Sequence, residues 1–254
     1  MRKMLLSACV ALTVLGCGGD DGDLPDCLYL DDCTRVYSIC GDRAYDASTE
    51  FCYEDTLYSV KSDISNYRTV VIGTQTWMAE NLDYNVEGSK CYDNDFTNCN
   101  TYGRLYDWAT AMALPPSCNS NSCANMIQSP HRGICPSGWH IPSNDDWDVL
   151  MTAVGGYDTA GTKLKAGSGW YNCGPSGSGS SYSREDTYGF SALPGGDDNR
   201  VGIFGIVGEG GNWWGASEYS SDSASDRHMY SSYDYVSMSS SYKSYLFSVR
   251  CVQD

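Results

Sequence analysis

An α+β domain, with two helices set among short antiparallel strands and long loops and stapled by disulfides, is the fold class this sequence predicts. Three observations predict it. Two stretches carry apolar residues at i, i+3, i+4 and i+7: Leu105, Trp108, Ala109 and Met112, then Trp147, Leu150, Met151 and Val154. That is the period of an amphipathic helix. Around them lie short β-prone runs broken by Gly, Ser and Asn. Thirteen cysteines occur with no Cys-x-x-Cys spacing, so behind an export signal they are expected in disulfides rather than in metal sites.

Arg2 and Lys3 precede an apolar run from Met4 to Leu15. It is too short to span a bilayer and suits a cleaved signal peptide over residues 1–16. Gly16 directly before Cys17 fits a bacterial lipoprotein signal, in which Cys17 is acylated and becomes the new N-terminus; an ordinary secretory signal would leave Cys17 no special part. Several acyl chains there would anchor the protein firmly. Residues 17–26, with Gly18-Gly19-Asp20-Asp21-Gly22-Asp23, have the composition of a flexible acidic tether. Gly18 follows Cys17, with no acidic residue to suggest inner-membrane retention, so the expected address is the outer membrane, at the cell surface.

The formal charge is −16, and loss of the signal with Arg2 and Lys3 leaves 14 basic against 32 acidic residues, a net −18. Such a surface repels phosphate backbones and anionic headgroups. Nucleic acid is thereby excluded as a partner class, and membrane contact is expected through the lipid anchor alone.

Residues 27–66 read as a small Cys-rich module with too few apolar residues for its own core. Its Cys27, Cys33, Cys40 and Cys52 allow three connectivities. From Tyr67 to Asp254 the character changes. Thr69-Val70-Val71-Ile72 and Thr76-Trp77-Met78 predict a hairpin around Gly73-Thr74-Gln75. Cys91 and Cys99 flank an acidic, Asn-containing loop and are expected to pair, as are Cys118 and Cys123, which bracket Asn-Ser-Asn-Ser. In the second helix Ser143 is placed to cap, Asp145 and Asp146 complement the N-terminal dipole, and Gly155 ends it. Beyond Gly155 the Gly, Ser and Tyr content predicts short strands rather than helices, with an exposed insertion at Gly167–Ser183. Trp213–Glu218 and Met229–Met238 read as strands. A closing strand puts Phe247, Val249 and Cys251 on one face and Ser248 and Arg250 on the other.

No catalytic set emerges, and no enzyme is expected. His131, His140 and His228 are the only histidines, and none has a His or Cys partner at metal-ligand spacing. His140 suits a structural hydrogen bond. No Gly-x-Ser-x-Gly elbow, P-loop or dinucleotide fingerprint occurs. Adjacent carboxylates such as Asp145/Asp146 or Asp197/Asp198 do not by themselves face one substrate as acid and base.

Binding has more to draw on. Of 20 tyrosines, Tyr219, Tyr230, Tyr233, Tyr235, Tyr242 and Tyr245 fall near the C-terminus beside Trp213 and Trp214. Aromatic rings offer apolar faces with polar edges, on which the C–H faces of sugars stack. Trp213, Trp214, Tyr219, Tyr230, Tyr233 and Tyr235 are therefore the expected ligand contacts, although tyrosine also simply suits half-buried strands. Asp197, Asp198 and Asn199, with Glu209, offer oxygen ligands of the kind calcium takes, but in no recognisable calcium motif. Otherwise Asp197 and Asp198 are solvated turn residues.

Four segments add a family resemblance: Tyr102-Gly103-Arg104-Leu105-Tyr106-Asp107-Trp108, Cys135-Pro136-Ser137-Gly138-Trp139-His140-Ile141-Pro142-Ser143, Gly189-Phe190-Ser191-Ala192-Leu193-Pro194-Gly195-Gly196 and Phe247-Ser248-Val249-Arg250-Cys251-Val252. In this order they resemble the Fibrobacter succinogenes major paralogous domain, over roughly Tyr67 to Asp254. The resemblance implies a C-type-lectin-like fold related to formylglycine-generating enzymes. Cys135 and Cys251 sit in two of its motifs and are expected to staple the second half of the domain to its last strand. A loop that long stabilises by roughly 4–5 kcal/mol in the chain-entropy model. Cys173 is then left over.

The related enzymes depend on a pair of reactive cysteines near the C-terminus, whereas Cys251 stands alone, so their oxidase activity does not carry over. The expectation is a surface lipoprotein whose binding domain contacts extracellular polysaccharide. The main alternative is a surface protein as partner, and a formylglycine-generating type of enzyme comes third.

Overall fold

The computed structural model of the protein describes residues 67–171, 184–200 and 202–254, together with the backbone of five strands before them. The signal, Cys17, the tether, Cys33 and Cys173 lie outside the described residues, as do the side chains of Cys27, Cys40 and Cys52. The chain divides between Ser59 and Val60 into two compact units. The first holds an antiparallel sheet of β1 (Cys27–Tyr29), β2 (Val36–Cys40) and β3 (Arg43–Asp46), and a hairpin of β4 (Glu50–Tyr53) and β5 (Thr56–Ser59).

The second unit is α+β. The predicted hairpin is present as β6 (Thr69–Ile72) and β7 (Gln75–Met78), with Gln75 already in the second strand. The chain then makes α1 (Phe96–Tyr102), α2 (Trp108–Ala111), β8 (Trp139–His140), α3 (Asn144–Ala153) and α4 (Tyr157–Leu164). The rest is strand: β9 (Asp197–Arg200), β10 (Ile203–Gly205), β11 (Gly210–Glu218), β12 (Ser223–Tyr230), β13 (Ser237–Tyr242) and β14 (Val252–Gln253). Three sheets result, ordered β6-β7-β14-β8, β11-β12-β13 and β10-β9.

Of the helices, α3 follows its sequence closely. The Ser143 hydroxyl accepts from the Asp146 N–H, and the Asp146 carboxylate accepts from the Ser143 N–H, which makes a capping box. At the far end Gly155 has φ +95°, its N–H donates to Thr152 O and that of Gly156 to Met151 O, a Schellman closure.

The first predicted helix is corrected. Only Trp108–Ala111 is helical, because Asp107 accepts from the Thr110 N–H at 2.8 Å and starts the turn there. Leu105 and Tyr106 are instead in extended pairs with Lys90 and Phe247. All four apolar residues of the pattern are nonetheless buried. Two helices were not predicted. In α1 only Cys99 is buried, and in α4 a Gly and two Thr blur the period. The Met229–Met238 strand is also corrected, since β12 ends at Tyr230 and a turn precedes β13.

The disulfides Cys91–Cys99, Cys118–Cys123 and Cys135–Cys251 are all formed. The last lies within one apolar cluster, with Met78, Trp108, Ile141, Trp214, Phe247 and Val249. A second cluster gathers Trp77, Trp147, Leu150, Phe190, Trp213 and Met229. The closing segment alternates as expected, but its polar face is buried as well. Arg250 stacks its guanidinium 4.3 Å from the Phe190 ring and donates to Asn81 Oδ1 and to the Phe190 and Ser191 carbonyls. Burial pushes its pKa down to about 9. Arg250 thus acts as a hydrogen-bonded strut that supplies donors to a loop with no ladder of its own.

Candidate functional site

The turn between β12 and β13 carries the exposed aromatic group. Tyr233 and Tyr235 are 44% and 39% exposed and stack with centroids 4.8 Å apart and planes 18° apart. Tyr230 meets Tyr233 edge-on at 6.1 Å, and His228 meets Tyr230 edge-on at 5.5 Å. Four rings therefore run in contact from the middle of β12 to the tip of the turn.

The unpredicted helix α4 holds this turn in place. The Thr162 N–H donates to Asp234 O and its hydroxyl to Asp234 Oδ1 at 3.0 Å, while the Val236 N–H donates to Tyr157 O. Gly161 passes so close that a Cβ there would lie 2.7 Å from the carbonyl oxygens of both Asp234 and Tyr235. Lys165, fully buried, donates through Nζ to the carbonyls of Tyr230 and Tyr233 and sits 5.4 Å from the Trp170 ring. Burial pushes its ammonium down to about 8. The tyrosines are thus displayed on a backbone fixed from below, which lowers the ordering cost of a ligand contact.

The expected tryptophan contacts are corrected. Trp213 and Trp214 are completely buried, because β11 lies between β12 and the closing segment, which Trp213 meets at Ser248. Trp213 Nε1 donates to Asn81 Oδ1, and Trp214 donates to Tyr106 O while its ring lies 4.4 Å from Phe247. The family-like segments converge here as scaffold.

Tyr219 and Tyr242 are exposed, but near the opposite end of the β12–β13 hairpin. At a rise of ~3.3 Å per residue that end lies roughly 23 Å away. Between the two ends β13 presents Met238, Ser239 and Ser240 to solvent and carries no charged residue. One expected row is therefore two tyrosine groups joined by a hydroxyl-bearing strand.

Asp197 and Asp198 are neither loop nor solvated turn residues, for both are buried in the β9–β10 hairpin, and Asn199 alone is exposed. Asp198 pairs with Lys90 at 3.2 Å and accepts from the N–H groups of Gly202 and Ile203. Asp197 Oδ2 accepts from Asn212 Nδ2 at 3.0 Å, and its Oδ1 is buried without a hydrogen-bond partner. Burial, with Asp198 adjacent, pushes the Asp197 carboxyl up to about 6. Among the described residues no three His, Cys, Asp or Glu side chains converge as a metal site.

Two arrangements went unread in the sequence. The first is on β12, where Asp226, buried, places Oδ2 3.3 Å from His228 Nδ1. The second is a cleft of about 790 Å³ whose walls include Ile127, Pro130, His140, Asp146, Ala216 and Asp254. There His140 Nδ1 lies 2.8 Å from Asp254 Oδ1 and Nε2 lies 3.3 Å from Asp146 Oδ2. Burial alone would lower the pKa of His140, but the two carboxylate hydrogen bonds outweigh it and raise it. Burial opposes ionisation of Asp146 too, yet its bonds to His140 and Ser143 hold it at about 2. His140 therefore does make structural hydrogen bonds, as an ion-paired clamp between α3 and the strand end.

A family model described as the Fibrobacter succinogenes major domain matches residues 70–253. No curated protein and no solved structure matches the chain.

Proposed function

The chain belongs to the Fibrobacter succinogenes major domain family, and on that premise we propose that it is an exported lipoprotein, anchored through Cys17 to the outer membrane at the cell surface, whose lectin-like domain binds extracellular polysaccharide without catalysis. The stacked, exposed Tyr233 and Tyr235 carry this reading. They offer ring surface and hydroxyls on a rigid turn, beside a serine-rich strand free of charge. Sugar rings need such a mixture of apolar face and polar edge. The non-catalytic side is supported by Cys251, whose sulfur is bonded to Cys135 and so is no reactive thiol of the formylglycine-generating kind.

The test is retention of the full chain, solubilised in detergent, on a panel of insoluble glycans. Retention on at least one, lost in the Tyr233→Ala/Tyr235→Ala variant, is expected; passage through all of them rejects the reading.

One observation favours a surface protein as the alternative partner. β13 is the outer strand of its sheet, and an uncharged outer strand is a template for adding a strand from another chain. Crosslinking on intact cells separates the two: a discrete protein adduct through β13 supports this alternative.

A further inference from the structure

We propose that Asp226 and His228 extend the tyrosine turn into a site that selects uncharged, hydroxyl-bearing glycans over anionic ones; the inference rests on the glycan reading above. Asp226 is 1% exposed, its Oδ1 is buried without a hydrogen-bond partner, and its Oδ2 faces His228 Nδ1. A carboxylate only accepts, so in the neutral imidazole that bond places the proton on Nδ1 and makes Nε2 an acceptor. The His228 side chain is 23% exposed and lies edge-on to Tyr230, the first of the tyrosine rings.

A ligand lying along those rings meets a nitrogen lone pair, which a sugar hydroxyl satisfies by donating and a carboxylate or sulfate does not. The surrounding field has the same preference. Across the sheet His228 faces Asn212, which holds the buried Asp197, and Ser237 on β13. Burial first, then Asp197 and Asp226, hold the Tyr230 hydroxyl above its ordinary range, with Glu209 adding to it. Tyr230 is thus a neutral group able to donate and accept. Lys165 offers an anion nothing at the surface, since its ammonium is buried against the Tyr230 and Tyr233 carbonyls. His228 is the contact residue, and Asp226 is a positioning residue that acts through it.

The experiment uses the full chain in detergent at about pH 8, above the ordinary histidine range. Binding to a soluble uncharged glucan is compared with binding to polygalacturonate of similar length. Nitrogen-15 NMR reads the His228 tautomer in parallel. The expected results are binding to the glucan alone, a proton on Nδ1, and at least about fivefold weaker glucan binding in His228→Phe, with recovery of both binding and melting temperature in His228→Gln, which keeps a donor to Asp226.

Equal or tighter binding to polygalacturonate, a proton on Nε2, or an unaffected His228→Phe variant overturns this inference and leaves the glycan reading standing. Absence of binding to either polymer overturns this inference, and together with failure on the insoluble panel it overturns both.

Discussion

Strands β11 and β13 border the same three-stranded sheet, and both carry large side chains, yet they serve opposite ends. β11 is buried along Gly210–Ala216, with its two tryptophans against the two apolar clusters on either face. β13 has Met238 and Tyr242 more than half exposed and serines between them. The difference is one of neighbours. The closing segment covers β11 from the far side, whereas β13 is the last strand of its sheet. Aromatic content alone therefore does not mark an exposed face; the position of a strand within its sheet decides whether a ring builds the core or is left at the surface.

The strongest attempt to break this contrast is Trp213→Ala, which should destabilise by about 3–5 kcal/mol, as removal of a buried indole does. Chemical denaturation measures it, and a loss below about 1 kcal/mol would show that β11 is not core. Gly161→Ala comes next. In an exposed helix that change stabilises by up to ~1 kcal/mol, but here the new methyl meets two carbonyl oxygens. A net cost of about 1–3 kcal/mol is expected, with weaker glycan retention because the tyrosine turn is displaced. A stabilised protein with intact retention would remove α4 from the account of the site.

The pH dependence sharpens the contrast on a smaller scale. The raised pKa of His140 contributes stability in full below the ordinary histidine value, and that contribution is lost as pH rises through the folded value. Asp146, held at about 2 against 3.8, contributes above 3.8 and loses its part as pH falls through about 2. In Asp254→Asn the alkaline decline should shrink by about 0.5–1 kcal/mol, modest because Asp254 is half exposed. Denaturation midpoints measured across pH check this, and an unchanged alkaline limb would discount the clamp. Smallest of all, Tyr233→Ala/Tyr235→Ala should change stability by less than about 0.5 kcal/mol while abolishing retention. A large loss of stability would make those rings structural.

How much of this was legible depended on whether the signal was local. The capping and closure of α3 are local chemistry, written in Ser143, Asp146 and Gly155, and the short-range disulfides follow from loops that two cysteines bracket. Helix α1 draws on a cap at Asp95 and the Cys91–Cys99 bridge rather than on an apolar stripe, so periodicity missed it. Helix α4 was hidden because Gly161 reads as a breaker, although it is required by the close approach of the tyrosine turn.

The burial of Trp213 and Trp214 depends on a segment more than 30 residues later in the chain, and no window around them shows it. The Asp226–His228 pair did have a signal. Asp226, His228 and Tyr230 alternate and so share one face of a strand, but the strand was read as beginning at Met229. The His140 clamp joins positions 6 and 114 residues apart, and only the fold brings them together.

The Cys135–Cys251 bond encloses most of the second apolar cluster, about half of the first, and the tyrosine turn. A protease that cuts once between those two positions severs the backbone but releases nothing, because the fragments stay joined through sulfur and through the sheet that β14 shares with β7 and β8. Nicked protein should therefore migrate as one band on a denaturing gel until reductant is added, and then as two. A chain so arranged keeps its tyrosine turn on its scaffold after a cleavage that would detach the piece from an unbridged protein.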